Sequence, residues 1–338
     1  MKLGKRMVSM LMAITTVATM IGSAGAVSYS GVNMTTGITR RTLFSDSPED
    51  ISGSNSTNGY LTGTTFTANE RMDFEFYHHN YTGMTKRFGI VVQNGNSTAV
   101  TLTLHNKAIG VSDPDPADEL LMTAPLVRNY FRSTATTVTI PAKSSQFVLY
   151  TDVASGKLVN GKLSMTSNKG SVYARIVYGN TSTAASTYFS QECKYPEPAD
   201  SKYFSGQVNY AQKNVTVNAN SVTSFMLGEW VVNKNKNEYD TVLSTKANSL
   251  PKLAANFGIP YQVTINNAAG KRLKITPNWT GGASVANIVL KNAAGTWYTT
   301  GNITSGSWYY ALGSSNSSTV TIVIPSANYG NMLCEVVS

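Results

Sequence analysis

The acidic residues of one short loop are the first candidates for chemistry in this sequence. A proline-rich segment places Asp113, Asp115, Asp118 and Glu119 close together along the chain. Carboxylate oxygens are ligands that Ca²⁺ prefers, although the segment lacks the glycine and the spacing of a helix-loop-helix calcium site. The alternative is an acidic cap on a following helix, because the helix dipole favours Asp118 and Glu119 in its first turn.

A second polar set recurs at every other position of one segment: Asp73, Glu75, Tyr77 and His79. Side chains at alternate positions of a strand share one face. Such a row offers ligands for a metal ion. The alternative, which we favour from the sequence, is a solvated strand face opposite the apolar Phe74 and Phe76.

Signs of hydrolytic chemistry are scarce. The sequence has no Gly-x-Ser-x-Gly segment, and its histidines are His78, His79 and His105. Glycoside hydrolysis needs two carboxyl groups across a cleft. The sequence offers acids for such a pair but does not bring any two together: Glu75, Glu229, Glu238 and Asp240. We therefore predict a protein without catalytic residues and without a resident cofactor, and the alternative is Ca²⁺ bound by the acidic loop.

Aromatic residues of the second half give a different functional lead. They are crowded into one region: Trp279, Trp297, Tyr298, Trp308 and Tyr309. Neighbouring residues of a strand point to opposite faces, so about half of these rings must point outward. Outward-facing rings form a glycan-binding surface, and the alternative is that the rings fill the core.

The two cysteines, Cys193 and Cys334, are far apart in the sequence. An exported chain can keep a disulfide. A bond between them would join the two ends of the second half. The alternative is two separate buried thiols, because a free cysteine packs as a small apolar residue.

The first 26 residues have the three-part pattern of a secretory signal peptide. Lys2, Lys5 and Arg6 precede an uncharged run from 7 to 21, which ends in small residues before a cleavage site after Ala26. No later segment has the roughly 20 apolar residues of a membrane-spanning helix. We expect a secreted protein that does not span a membrane. Without the three signal cations the net charge of +9 becomes +6, which suits attraction to anionic wall polymers or ordinary solubility.

Turn residues separate many short segments with alternating polarity. In 100–105, Val100, Leu102 and Leu104 alternate with polar residues, as in a half-buried strand. Similar segments recur from about residue 60 on both sides of a proline-containing stretch, 183–202, and include 172–178, 261–265 and 333–337. Tight hairpin turns are predicted at Asn94-Gly95 and at 292–295, and one or two helical turns around 117–127. We predict an all-β protein with two tandem β-sandwich domains, immunoglobulin-like or jelly-roll-like, at 27–182 and 203–338, joined by that linker.

This arrangement of strands and turns resembles the accessory β-sandwich modules of secreted surface proteins of Gram-positive bacteria. The resemblance implies an adhesive or scaffolding protein of the cell surface or extracellular matrix. It transfers no functional residue. The alternative is a carbohydrate-binding protein that uses the aromatic residues of the second half. A cell-wall polymer, a glycan or another surface protein is the expected partner, and nucleic acid is not, because the cations are scattered along an exported chain.

Overall fold

The structure is a computed structural model that describes residues 32–195, 203–222, 224–229, 242–253, 256–277, 285–328 and 331–338. The predicted signal peptide, the end of the predicted linker and Trp279 lie outside the described residues.

The described residues form many strands and one long helix. The elements of the first half are β1 (Val32–Thr36), β2 (Thr39–Ser45), β3 (Asp50–Ile51), β4 (Gly59–Phe66), β5 (Arg71–Asn80), β6 (Lys86–Asn94), β7 (Val100–Ser112), α1 (Pro116–Arg132), β8 (Thr136–Ile140), β9 (Ser145–Val153), β10 (Lys157–Ser167) and β11 (Val172–Gly179). Short 3-10 helices lie at Gly53–Ser56 and Ala185–Phe189.

The second half continues with strands. They are β12 (Ser205–Tyr210), β13 (Lys213–Asn218), β14 (Ser224–Leu227), β15 (Val242–Thr245), β16 (Tyr261–Asn266), β17 (Arg272–Pro277), β18 (Val289–Lys291), β19 (Trp297–Thr299), β20 (Trp308–Ala311), β21 (Ser317–Val323) and β22 (Met332–Val337). The predicted all-β class is confirmed, because the described chain is predominantly strand.

Four sheets contain these strands. Sheet A has the order β1-β13-β16-β21-β18-β19, and sheet B has the order β15-β12-β2-β5-β10-β7-β8, with β3 paired to β5. Sheet C is β4-β11-β6-β9, and sheet D is β14-β22-β17-β20. One apolar core contains side chains from sheets B and C, and a second contains side chains from sheets A and D.

The alternating residues of β7 show why these segments form strands. Val100, Leu102 and Leu104 are buried in the core between sheets B and C. The intervening Thr101 and Thr103 are only half-buried. Because successive side chains of a strand point to opposite faces, this pattern buries one face of the segment.

Strand pairing crosses the predicted division between the two halves. β1, at the start of the chain, pairs with β13 of the second half, and β12 pairs with β2 of the first half. Within the predicted linker, Cys193 forms a bridge with Tyr60 of β4. The sheets therefore do not separate at the predicted linker, because strands from each half complete a sheet that belongs mainly to the other half.

Two of the predicted hairpins have different outcomes. The turn predicted at Asn94-Gly95 is wrong as a hairpin, because β6 belongs to sheet C and β7 to sheet B. The Asn94 side chain instead donates hydrogen bonds to the carbonyls of Thr98, Ile140 and Pro141, which ties the link between the sheets. The hairpin predicted around 292–295 is confirmed, because β18 and β19 pair antiparallel.

Helix α1 fills the space between sheets B and A. It has 17 residues, and the Asp115 side chain caps it by accepting a hydrogen bond from the Ala117 backbone N–H at 2.9 Å. Its apolar side packs against β18, β19 and β21 of sheet A through a cluster that includes Val127, Val289 and Val323. The sequence predicted only one or two helical turns here.

The hydropathy of the described helix gives no membrane-spanning candidate. No helix in the described ranges is both long enough and apolar enough to cross a bilayer.

Candidate functional site

The described aromatic residues predicted to bind glycans are mostly half-buried, with one side of each ring packed against the protein. The Trp297 ring stacks on the Phe131 ring of α1, with centroids 4.2 Å apart and planes 8° apart. Tyr298 and Trp308 pack against the core between sheets A and D, with ring centroids 6.0 Å apart. Within the predicted set, the structure thus brings Tyr298 and Trp308 together and places Trp297 against α1 instead.

Tyr309 is the exposed residue of that set within the described chain. Its neighbours on β20, Trp308 and Tyr310, pack against the core, while Tyr309 is 47% exposed. The Arg272 guanidinium lies over its ring, 5.1 Å from the centroid. Strand parity explains this split, because residue 309 points to the face opposite that of 308 and 310.

The acidic loop before α1 is divided among separate partners. Asp113 forms an ion pair with Lys157, and Asp115 caps the helix. Glu119 points inward, where it accepts a hydrogen bond from Tyr77 Oη at 2.8 Å. Among the described residues, no group of three or more histidine, cysteine, aspartate or glutamate side chains is arranged to hold a metal ion.

The polar face of β5 is buried, so the prediction that it is solvated is wrong. Asp73, Glu75, Tyr77 and His79 are each at most 9% exposed. Helix α1 and loops of the second half cover this face. The sequence pattern of β5 cannot show this, because the covering residues are distant in the chain. We call the region covering this face the junction.

A buried ion pair lies at the centre of the junction. Lys162 Nζ donates to Glu75 Oε2 at 2.5 Å, and the two side chains are 5% and 2% exposed. Ser326, from the second half, donates a hydrogen bond to the other oxygen of Glu75 at 3.1 Å. Each charge removed from water is thus compensated directly, as burial of a charge requires.

Gly258 allows the second half to approach this pair. A Cβ atom at Gly258 would lie 1.8 Å from Oε2 of Glu75, and the residue has φ 70, which L side chains rarely adopt. Glycine is required here both for the close approach and for the backbone conformation.

A network of carboxylates surrounds His79 at the edge of the junction. His79 Nδ1 lies 2.8 Å from Asp50 Oδ1, and Nε2 lies 3.2 Å from Glu119 Oε1. Burial lowers the His79 pKa, but these hydrogen bonds and the Glu49 charge outweigh burial and raise the pKa to about 9. Burial raises the pKa of Glu49 to about 7, against the hydrogen bond with Tyr203 and the charge of His79, which lower it.

A cleft of 580 Å³ opens on one side of the junction, between sheets B and A. Its walls carry the cations Arg40, Arg71, Lys162 and Lys291 and one carboxylate, Asp73. Its volume lies in the range of small-molecule sites. The charged residues of this cleft come from four different strands. Their proximity could not be predicted from the sequence, because it depends on how the sheets pack.

A groove of 370 Å³ lies on the outer face of sheet C. Tyr173, which is 41% exposed, lies along it, and Gly63 and Gln93 lie on neighbouring strands. The Arg175 guanidinium lies 3.9 Å from the centroid of Tyr60 and 5.1 Å from that of Phe189. We call this surface the sheet C groove.

Sequence reading missed the sheet C groove, although the strand itself was predicted. Tyr173 and Arg175 alternate with the inward-facing Val172, Ala174 and Ile176 of β11. That alternation was the available signal, because it places both polar residues on the outer face.

The two cysteines are not bonded to each other in the structure; both are free thiols. Cys334 is buried in the core between sheets A and D, and burial raises its thiol pKa. Cys193 is partly buried, and its Sγ lies 3.5 Å from the carbonyl oxygen of Leu61 in β4. Cys193 lies beside β4 of sheet C and Cys334 lies on β22 of sheet D, so the structure has the alternative arrangement of two separate thiols.

Comparison with known proteins leaves the family of the chain open. No family model matches it, and no curated protein is significantly similar to it. A solved structure described as the structure of the Macrobrachium rosenbergii nodavirus is 13% identical over 97% of this chain and 95% of that chain, with a TM-score of 0.15. The PBSX exported protein XepA is 10% identical over 83% of this chain and 85% of that chain, with a TM-score of 0.16. These TM-scores support no inference about fold or function.

Proposed function

We propose that this protein is a non-catalytic extracellular protein that binds saccharides in the sheet C groove. In this proposal sheets B and C form one β-sandwich and sheets A and D form a second, in tandem, as in surface modules of secreted bacterial proteins. The cell wall or the surrounding matrix is the proposed location. The observation that carries the proposal is the exposed Tyr173 ring beside an arginine held in place on an outer sheet face.

The Tyr173 ring lies close to Gly95 on one side. Its Cε2 atom lies 3.0 Å from where a Cβ atom of Gly95 would be, so one part of the ring rests against the backbone at Gly95. The ring is nevertheless 41% exposed. A flat ring with an apolar face and a polar hydroxyl suits the C–H face and hydroxyl groups of a sugar.

Arg175 supplies a preorganised hydrogen-bond donor next to that ring. Its Nη1 donates to the carbonyl of Tyr188 at 2.5 Å, and its guanidinium lies over Tyr60. Gly63 lies opposite Arg175 in the pairing of β4 and β11, and a Cβ there would be 3.0 Å from Arg175 Cγ. A donor held in this way loses little conformational entropy when a ligand binds.

Retention on immobilised saccharides tests the proposal. The wild-type chain is passed over a panel of purified cell-wall and matrix polysaccharides, and its retention is measured. For a polysaccharide that retains the wild type, Tyr173→Ala is expected to weaken binding about tenfold, since one ring contact of about 1.4 kcal/mol corresponds to that factor.

The matched control is Tyr309→Ala, which removes another exposed tyrosine on the other half of the molecule. Retention should be unchanged in that variant. A loss confined to Tyr309→Ala or Trp308→Ala would place binding on the second-half aromatic residues instead. No retention of the wild type by any saccharide would refute the proposal.

A scaffolding role is the second candidate, and the edge of sheet C favours it. Strand β9 has nine residues, pairs only with β6 in the described chain, and includes Tyr150, which is 50% exposed. A long unpaired edge can add a strand from another copy. Light scattering over a concentration series tests this role: growth of the mass with concentration supports it, and a constant monomer mass excludes it.

A further inference from the structure

The cleft between sheets B and A has a surplus of positive charge. Four cations and one carboxylate line it. Arg40 Nη1 lies 3.0 Å from Oδ2 of Asp73, and Lys162 is paired with Glu75. Arg71 and Lys291 remain, and neither has a carboxylate within ion-pair distance in the described ranges.

Neutral hydrogen bonds hold Arg71 at the cleft wall. Its Nε donates to Ser164 Oγ at 2.8 Å, and its Nη2 donates to Asn106 Oδ1 at 3.1 Å. These bonds orient the guanidinium without neutralising it. A planar guanidinium in a fixed orientation is well suited to a phosphate or carboxylate group.

Lys291 lies at the opposite wall, on the hairpin formed by β18 and β19. Its Nζ is 5.6 Å from the centroid of Trp297, whose ring is itself stacked on Phe131. The Lys291 ammonium therefore lies beside the stacked Trp297 and Phe131 rings. Arg71 on sheet B and Lys291 on sheet A place one cation on each of two opposing walls of the cleft.

Ionisation of the surrounding groups agrees with a positive local field. Burial and then the charge of Arg40 lower the pKa of Arg71. Burial and then the charges of Arg71 and Arg40 lower the pKa of His105, on the neighbouring strand β7. Burial disfavours a charge of either sign, so only the arginine charges among these causes indicate a positive local field, and Asp73 partly offsets it.

Uncharged donors and acceptors line the rest of the cleft. Gln212 Nε2 donates to Gln262 Oε1 at 2.8 Å, and Thr319 and Thr321 lie on β21 nearby. These groups suit the hydroxyl groups of a polar scaffold. An anionic group on such a scaffold would satisfy both the cations and the neutral residues.

We propose that this cleft binds an oxyanion, a phosphate or carboxylate group carried on a polar scaffold, between Arg71 and Lys291. The site is separate from the sheet C groove and requires both halves of the molecule. Phosphate-bearing and carboxylate-bearing ligands share the chemistry that it recognises.

Calorimetric titration of the full chain tests the site with three probes: inorganic phosphate, D-glucuronate and D-glucose. Phosphate or glucuronate should bind and glucose should not. Binding of phosphate alone or of glucuronate alone supports the site and identifies the group it prefers. Absence of binding by both anions overturns the proposal.

Substitutions distinguish the cleft from general electrostatic attraction. Arg71→Ala and Lys291→Ala should each weaken anion binding about tenfold, as loss of one charge-assisted hydrogen bond predicts. Arg71→Gln serves as a second variant if Arg71→Ala does not fold. The control is the double variant Lys169→Ala/Arg272→Ala, which removes charges outside the cleft and should bind as the wild type does.

Asp73→Asn gives a change in the opposite direction. This substitution removes the carboxylate that pairs with Arg40, so the affinity for an anion should rise about threefold. A gain in affinity cannot arise from partial unfolding. Equal losses in the cleft variants and in the control double variant, or no gain with Asp73→Asn, would refute a built anion site.

Discussion

The two faces of β5 are both buried, but by opposite means. One face places Met72, Phe74 and Phe76 in the apolar core between sheets B and C. The other places its charged residues under the second half, where each carboxylate has a specific partner, such as Lys162 for Glu75. Apolar packing needs only complementary shape, whereas a buried charge needs a partner at one position, so the junction requires a more specific arrangement than the core.

Neighbouring histidines on β5 illustrate the same difference. His78 is buried, its Nδ1 lies 2.7 Å from the Pro48 carbonyl oxygen, and burial lowers its pKa to about 3. His79, one residue later, is surrounded by carboxylates, and its pKa is raised to about 9. The same residue type is therefore kept neutral on one face and charged on the other.

Breaking the buried pair should give the largest effect. Lys162→Ala leaves Glu75 buried without its cation and should lower the free energy of unfolding by about 3 to 5 kcal/mol. Leu163→Ala, on the other face of β10, opens a cavity in the core and should cost about 2 to 5 kcal/mol. Chemical denaturation of the two variants measures both values.

A double variant sharpens the comparison. Glu75→Leu/Lys162→Met replaces the pair by apolar groups. The free energy of unfolding of this variant should lie within about 1 kcal/mol of the wild-type value or above it. If Lys162→Ala lowers the free energy of unfolding by less than about 1 kcal/mol, the Glu75 carboxylate is not held as a buried charge. The proposed difference between the charged and the apolar face of β5 is then wrong.

The pH dependence of stability should separate the two histidines. For His79 the folded pKa of about 9 is above the ordinary 6.5, so its contribution is complete below pH 6.5 and is lost as the pH rises towards 9. The stability advantage of the wild type over His79→Gln should therefore shrink between pH 6.5 and 9, as measured by thermal melts.

His78→Gln is the matched variant, with the opposite sign. The folded pKa of His78 lies below 6.5, so its contribution is complete above pH 6.5 and is lost as the pH falls towards 3. The advantage of the wild type over His78→Gln should shrink on acidification. Parallel pH profiles for both variants would contradict the assignment of different charge states to the two faces.

The smallest effect is expected where an ion pair lies outside the junction. Arg87 and Asp152 pair at 2.7 Å with side chains 22% and 41% exposed. Arg87→Ala should change the free energy of unfolding by less than about 1 kcal/mol, and less at high salt, because water screens the pair. A cost equal to that of Lys162→Ala would show that burial does not decide the strength of pairing here.

Strand positions were largely predictable, and their partners were not. The segments 172–178, 261–265 and 333–337 were predicted as strands and correspond to β11, β16 and β22. Strands β1 and β2 were missed, since the strand signals were recognised only from about residue 60 onward. The pairing of β1 with β13 joins segments far apart in the chain, and no local pattern specifies it.

The candidate sites were less predictable than the strands. Parity correctly places Asp73, Glu75, Tyr77 and His79 on one face of β5, but the sequence could not tell that α1 and the second half cover that face. The exposed Tyr173 was not predicted as a binding residue, because a single tyrosine in an alternating strand is a weaker signal than the cluster of aromatic residues in the second half, whose described tryptophans are partly buried.

The sequence by itself determined the strand-rich character of this protein and the face of each strand on which a side chain lies. Both follow from the pleat of the backbone, which repeats every two residues and is a local property. Only the tertiary structure decided that the polar face of β5 is buried and that Arg71 and Lys291 face one cleft. Those outcomes depend on contacts between residues as distant as Glu75 and Ser326, and such contacts exist only after the sheets have packed.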